Sequence, residues 1–498
     1  MEMLSQIPDF LVRRRDSETL AIEASSGRWS YRMLYQRATK LAGLLATLYA
    51  GGVKQGDRVA VMARDALVFT AMLHALRMLK AILVPINLRL TPKEIAWQLA
   101  DANVALLVSD AMQEGPRDLV TRVLRDEHDV QVMVLTLDAL HWDETYDAVS
   151  SPYINLGDIQ SIVYTSGTTG RPKGAMISYG NHFYGAAASA FRLGVQTGDR
   201  WLTPMPLFHV GGQAVLMRSL IYGTAAVIHD AFDPGKVNRA IDEQGITLLS
   251  VVPAMLSRMM DERGAKPFPS ALRSILLGGG PVAKSLLQKC AGLNIPVSLS
   301  YGLTEANSQV ATLAPEFSLK KLGSSGQPLA LTEIRIEQDG EEAPTGAAGE
   351  IVLRGPTIIS GYYGRDDETQ KAFSGGWFHT GDIGYIDEEG FIYVLDRRTD
   401  LIISGGENVY PAEVESVLAA HPAVVEAGVT GVPDDRFGQA PLAVVVLYVG
   451  QEVSEQDIIS YCRAHLAGYK TPKHIRFVEK LPRNASGKLL RRDLRQWL

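Results

Sequence analysis

The sequence predicts an α/β protein with a large N-terminal domain and a small α+β C-terminal domain. Three observations predict it. Through the first two thirds of the chain, short apolar runs alternate with amphipathic helical stretches, the pattern of a mainly parallel, helix-covered sheet. After Tyr301 the helical pattern fades. Segments such as Glu350–Leu353 and Phe391–Leu395 alternate there with Gly- and Asp-rich turns, which predicts a β-rich subdomain. Beyond a charged join, Asp396-Arg397-Arg398-Thr399-Asp400, a fresh mixture of helix and strand begins, of a size for a second domain.

In chain order, the first helix runs from Tyr31 to about Tyr49. Ser30 can cap it, and Leu34, Ala38, Leu41, Leu45 and Leu48 form its inward stripe. Strands are predicted at Arg58–Met62, Val104–Val108, Val130–Leu135, Ile159–Tyr164, Thr224–His229, Ile246–Val252, Ser274–Leu277 and Val297–Tyr301. The C-terminal part reads as helix Ala412–Ala420, strands Val425–Thr430 and Ala443–Val449, helix Glu455–Leu466 and strand Ile475–Val478. The implied boundaries are 1–396 for the N-terminal domain, with its β-rich part at about 323–396, then a join at 397–400 and a C-terminal domain at 401–498.

Length and composition suit a soluble multidomain protein: 498 residues, 46% hydrophobic and 21% charged. A net charge of −6 argues against a nucleic-acid partner. The charge is uneven, because Lys470–Leu498 carries nine Lys or Arg against two acids. That is either a solvated face or a tail that visits an anion. Cys290 and Cys462 are too far apart in sequence for a disulfide framework or a zinc spacing. With no signal-peptide pattern and no membrane-length apolar run, a cytoplasmic protein without a membrane partner is expected. A homo-oligomer is compatible with all of this.

The densest chemical signal is Tyr164-Thr165-Ser166-Gly167-Thr168-Thr169-Gly170-Arg171-Pro172-Lys173-Gly174, which holds four Ser or Thr hydroxyls, three glycines and two cations. Glycines let backbone N–H groups approach a ligand, and hydroxyls and cations suit polyphosphate. The spacing is not that of a Walker A loop. A surface loop between a strand and a helix would have the same composition.

Ser300-Tyr301-Gly302-Leu303-Thr304-Glu305 ends a predicted strand, where parallel sheets bind ligands. Tyr301 could stack on a flat ring, and Glu305 is a hard oxygen ligand suited to Mg²⁺. Leu277-Gly278-Gly279-Gly280-Pro281 would let a nucleobase approach the backbone. Asp382, in Trp377-Phe378-His379-Thr380-Gly381-Asp382, could accept from ribose hydroxyls. His209, in Pro206-Leu207-Phe208-His209-Val210-Gly211-Gly212, could line an acyl pocket. Lys488 lies on a basic loop near the end. Taken singly, each of these also reads as an ordinary turn or a solvated charge.

Their order and intervals resemble the adenylate-forming superfamily of acyl-CoA synthetases, luciferases and adenylation domains, over essentially the whole chain. The resemblance implies ATP, Mg²⁺ and coenzyme A as small-molecule partners beside the acid. It also implies a mobile C-terminal domain that rotates between two half-reactions. Thr165, Ser166, Gly167, Thr168, Thr169 and Lys173 match the phosphate loop, and Gly279 and Tyr301 the adenine site. Thr304 and Glu305 match the phosphate and Mg²⁺ positions, and Asp382 and Arg397 the ribose pair. Thr399 falls at the hinge, and Lys488 at the lysine that enters the site for adenylation. Ser404–Glu407 matches the turn that faces the acyl site during thioester formation. Many relatives carry lysine where this chain has Ile403, and Asp or Lys where it has Thr399.

A narrower resemblance, to the ligases that join 2-succinylbenzoate to CoA in menaquinone synthesis, rests on Ser178–His182, Arg200-Trp201-Leu202, Ala314–Ser318 and the run Leu395–Asn408. It implies an acid pocket lined by His209, Gly302, Leu303 and Ser308. Ligation of a fatty or aryl acid, loading of a carrier protein, and a non-catalytic binding role are the competing expectations.

Overall fold

Ser30 caps the first helix as its sequence predicts. Its side chain accepts from Met33 N at 3.2 Å, and the helix spans Tyr31–Thr47. The computed structural model that holds it describes residues 5–48, 52–137, 151–165, 172–279, 282, 284–338, 340–396, 402–409, 411–482 and 491–498. The predicted inward residues Leu34, Ala38, Leu41 and Leu45 are buried.

Two large sheets, with a small pair of strands at Gln6–Pro8 and Tyr153–Asn155, form the N-terminal part. The smaller has six strands, in the order Lys173–Ser178, Ile159–Thr165, Ile82–Pro85, Arg58–Met62, Leu106–Asp110, Met133–Leu137. All neighbours are parallel except the first pair. That pair corrects one reading of the glycine-rich loop: the segment joins two antiparallel strands, with Thr165 paired to Lys173, and no helix follows it directly.

The larger sheet begins with Gly27–Ser30 antiparallel to Leu20–Ala24. It continues in parallel through Ala225–Ile228, Arg200–Thr203, Leu248–Val251, Ser274–Leu277 and Val297–Tyr301. The antiparallel strands from Ala311 to Asp396 then extend the same sheet. The β-rich texture after Tyr301 therefore belongs to a continuous sheet that turns antiparallel. It also carries a short helix, Asp366–Ala372, that the sequence pattern does not announce.

Helix Ala66–Leu79 lies in the layer between the sheets and is buried on nearly every face. Its apolar composition all round is what such a position requires. Asp65 caps it, accepting from Leu67 N at 2.7 Å.

The C-terminal part has its own five-stranded sheet and its own core. Strands Val424–Asp434 and Gly438–Leu447 form its centre, and helices Pro411–Ala419 and Glu455–His465 pack on it. Val414, Leu418, Val429, Ala443, Val445, Ile458 and Ile475 are fully buried there.

Candidate active site

The carboxyl ends of the parallel strands converge on one cavity of about 700 Å³, a size typical of small-molecule sites. Pro85 and Thr165 come from strand ends of the smaller sheet. Val251, Gly278, Gly279, Ser300 and Gly302 come from those of the larger one. Gly406, Glu407, Tyr469 and Lys470 close it from the C-terminal part.

One end is charged. Lys173 Nζ donates to Glu368 Oε2 at 2.5 Å and sits 5.3 Å from the Tyr362 ring centroid. Tyr362 OH donates to Glu305 Oε1 at 2.9 Å. Thr304, Glu305, Glu368 and Lys371 all line this end. Ser166, Gly167, Thr168 and Thr169 lie outside the described residues. No group of three or more acidic, His or Cys ligands forms a metal site among the described residues. Glu305, beside Thr304 in the cavity wall, fits Mg²⁺, which binds through one or two carboxylates plus substrate phosphates.

The strand-end glycines behave as close-approach positions. Gly279 has φ +85°, and a Cβ there would meet Val252 Cγ1 at 3.1 Å. At Gly302 a Cβ would fall 1.4 Å from Ser308 O, so only glycine lets strand and loop cross here. Asp382 lines the cavity and accepts from Tyr301 OH at 2.6 Å. Tyr301 itself does not form the wall in this arrangement. Its ring is 4% exposed and packs in a core with Val310, Ile351 and Phe378. The stacking expectation is thus replaced by a buried hydroxyl that fixes Asp382. Arg397, Thr399 and Lys488 lie outside the described residues.

His209, Leu303, Ser308 and Gln309 share the remaining end with Met205, Phe208 and Val210. A residue that sequence reasoning missed, Arg218, also lines the cavity. Arg218 is 3% exposed and its Nη2 has no hydrogen-bond partner among the described residues. Its guanidinium lies 5.5 Å from the Trp201 ring centroid, and burial pushes its pKa down to about 10. It remains a cation at neutral pH, in a cavity lined by apolar Met205, Phe208 and Val210 and by polar His209, Ser308 and Gln309.

The C-terminal part is fastened across the cavity by charge. His209 Nε2 donates to Glu407 Oε2 at 2.9 Å, and Arg89 Nη1 to Glu407 Oε1 at 2.5 Å. Burial pushes the Glu407 carboxyl up, but His209 and Arg89 outweigh it and hold the group below the usual carboxylate range. Lys470 Nζ bridges Glu94 at 3.0 Å and Glu413 at 2.7 Å. Asn87 Nδ2 donates to Tyr469 OH at 3.2 Å. The Ser404–Glu407 turn thus faces the acid end, as the resemblance implies. The basic tail is partly accounted for otherwise: Lys470, Lys473, Arg476 and Arg491 are all engaged in ion pairs within the protein. Arg89, Glu368 and Lys470 carry no local motif that would have singled them out.

Comparison with known proteins agrees with this geometry. A family model described as "AMP-binding enzyme" matches residues 12–363, and "AMP-binding enzyme C-terminal domain" matches 413–488. A 2-succinylbenzoate–CoA ligase from Geobacillus sp. (strain WCH70) is 45% identical, covering 99% of this chain and 98% of that one. The ligase of the same name from Bacillus cereus (strain ATCC 10987 / NRS 248) is 43% identical, with 99% of each chain covered. A double mutant of o-succinylbenzoate CoA synthetase from Bacillus subtilis, bound to the product analogue OSB-NCoA, superposes with a TM-score of 0.91 at 40% identity, over 99% of each chain. The same enzyme with the acyl-adenylate OSB-AMP gives 0.75 at 39% identity, over 99% of this chain and 98% of that one. Matched by family models in both its parts and by full-length relatives above 40% identity, the chain belongs to the AMP-binding enzyme family.

Proposed function

We propose that the chain is an ATP-dependent acid–CoA ligase that acts on 2-succinylbenzoate in menaquinone synthesis. The observation that carries the acid assignment is Arg218, a buried guanidinium that lines the cavity without an acidic partner among the described residues. An isolated buried cation is costly and calls for an anion. An acid with two carboxylates, one to be activated and one to be held, meets that need. Full-length relatives bearing the 2-succinylbenzoate name support the same substrate.

The reaction runs in two steps. The free carboxylate attacks the α-phosphate of ATP, pyrophosphate leaves, and the acyl-adenylate remains. Lys173 and the 165–169 loop hold the β- and γ-phosphates as a leaving group, while Thr304 and Glu305 face the same end. Glu305 would hold Mg²⁺ at this end, where the ion would supply positive charge against that building up on the phosphates. Asp382 and Arg397 receive the ribose, Gly279 lets the adenine edge approach, and Lys488 stabilises the reacting oxygens. The thiol of CoA then attacks the acyl carbonyl and AMP leaves.

Lys488 and an incoming thiol would compete for one space, so the C-terminal domain, 401–498, turns about 397–400 between the steps. The interlobe contacts of Glu407 support a thioester-forming arrangement here. So does the higher TM-score with the product-analogue complex than with the adenylate complex. A panel of acids with ATP and CoA, followed by AMP release, tests the assignment. A clear preference for 2-succinylbenzoate over benzoate and octanoate is expected, and equal rates would leave only the reaction class.

A further inference from the structure

Lys173 has a partner that the two-step reaction does not require. Its Nζ is held by Glu368 Oε2 at 2.5 Å, with the two side chains 15% and 23% exposed. Glu368 lies on the short helix Asp366–Ala372 and lines the cavity beside Glu305 and Lys371. That segment is anchored firmly. Arg365 pairs with Asp101, Tyr362 OH donates to Glu305, and Tyr362 N donates to Thr369 Oγ1 at 3.0 Å. A carboxylate fixed at the lysine meant for phosphate is at odds with phosphate binding. Polyphosphate must either share Lys173 with Glu368 or displace it, and in both cases like charges meet.

From this we infer that Glu368 takes the place of the departed pyrophosphate: it neutralises Lys173 once the phosphates are gone and opposes their return. The inference rests on the reading of Lys173 as a phosphate-binding residue. Glu368 then acts as a positioning residue for the sequence of steps. While ATP is bound, the phosphates and their metal compete for Lys173. After pyrophosphate leaves, the Lys173–Glu368 pair re-forms, and rebinding must break it. The same pair makes ATP binding weaker than the loop alone would give, so the device favours the forward direction at a cost in ATP affinity. Sequestered Lys173 in an arrangement already closed by Glu407 is the state that this order of events requires.

Equilibrium binding of magnesium pyrophosphate and of AMP to the full-length protein tests it, for wild type, Glu368→Gln, Lys173→Ala and the double variant. Removing the carboxylate should tighten pyrophosphate binding about three- to tenfold, the scale of a partly exposed ion pair. AMP, which lacks the β- and γ-phosphates, should bind unchanged. Lys173→Ala should weaken pyrophosphate binding, and in that background Glu368→Gln should have no further effect. Weaker or unchanged pyrophosphate binding in Glu368→Gln, with Lys173→Ala still weakened, overturns the inference and makes Glu368 a structural support for Lys173. Equal tightening of AMP also overturns it. If Lys173→Ala itself leaves pyrophosphate binding intact, the phosphate-loop reading fails first. Glu368→Ala, checked by its unfolding midpoint, provides the second charge-deleting variant should the Gln form fold poorly.

Discussion

Glu407 Oε2 lies 2.9 Å from His209 Nε2, joining the C-terminal turn to the cavity wall of the N-terminal part. Arg89 holds the other carboxylate oxygen, and the Glu407 side chain is 3% exposed. A buried carboxylate from one part, hydrogen-bonded by a guanidinium and an imidazole of the other, is a closure contact. Each charge-assisted bond in such a place is worth about 1.5–3 kcal/mol.

Glu407→Gln is therefore expected to slow thioester formation from supplied acyl-adenylate by about tenfold or more, with a smaller effect on acid-dependent pyrophosphate release. Lys488→Ala should give the reverse split. The two half-reactions, assayed separately, check both. Equal loss in both assays for both variants would remove the two-arrangement reading. Because the folded-state pKa of Glu407 is depressed, its contribution is present above the ordinary carboxylate pKa and is lost as pH falls through the depressed value. Closure should therefore not vary with pH through this group near neutrality and should weaken only in acid.

Arg218→Met is expected to raise the KM for a two-carboxylate acid about 30-fold or more, since truncating one partner of a buried charge pair costs about 2–5 kcal/mol. A monocarboxylic acid should lose far less. The free protein should be as stable as wild type or more so, because the variant removes a buried guanidinium with no acidic partner among the described residues. Parallel steady-state kinetics on both acids and a thermal unfolding curve check this combination. A stability loss with equal effects on both acids would make Arg218 a packing residue.

The parts of this molecule written in local pattern were legible beforehand. The Ser30 cap, the strands Ser274–Leu277 and Val297–Tyr301, and both C-terminal helices lie at or within a residue or two of their sequence-based positions. Strands Ile82–Pro85 and Arg200–Thr203 escaped: the first carries Pro85, which sheet interiors disfavour, and the second has only two apolar residues, Trp201 and Leu202. The cavity's glycines and Glu305 announced themselves by motif. The ion pairs that close it did not, because their partners are far apart along the chain: Arg89 and Glu407 are 318 positions apart, Lys173 and Glu368 195, and Glu94 and Lys470 376. Single charged residues in ordinary helices, strands and turns carry no sign of such partners until the fold brings them together.

Gly302→Ala tests the tightest of the legible positions. With Ser308 O 1.4 Å from where a Cβ would stand and Ser308 itself at φ +91°, the added methyl cannot be absorbed by a side-chain shift. The strand end or the 307–309 loop must move. We expect a loss of about 2 kcal/mol or more in stability, as for overpacking against a fixed backbone. The affinity for the acid should fall with it, because Leu303, Ser308 and Gln309 line that end. Denaturant unfolding together with acid binding measures both, and wild-type values in each would show that the loop yields freely.

Lys470 gives the sharpest pH test. Its ammonium is nearly buried between Glu94 of the N-terminal part and Glu413 of the C-terminal part, and these carboxylates hold its pKa above the ordinary lysine value despite burial. Glu413 is shifted upward because burial outweighs the attraction of Lys470. Lys470→Met removes the cation and leaves two carboxylates facing each other, with Tyr469 beside them. Breaking one side of a buried pair costs about 3–5 kcal/mol.

The sign with pH follows from Glu413. A carboxyl whose folded-state pKa is raised carries no penalty below its ordinary pKa, where folded and unfolded forms both hold the proton. The penalty grows as pH climbs toward the folded value. In the variant that value rises further, so the window widens upward. Lys470→Met should therefore be most destabilised relative to wild type at pH 8 and partly recover at pH 5, read as the difference in urea midpoints at the two pH values. A difference independent of pH would mean that Glu94 and Glu413 find other partners once Lys470 is gone.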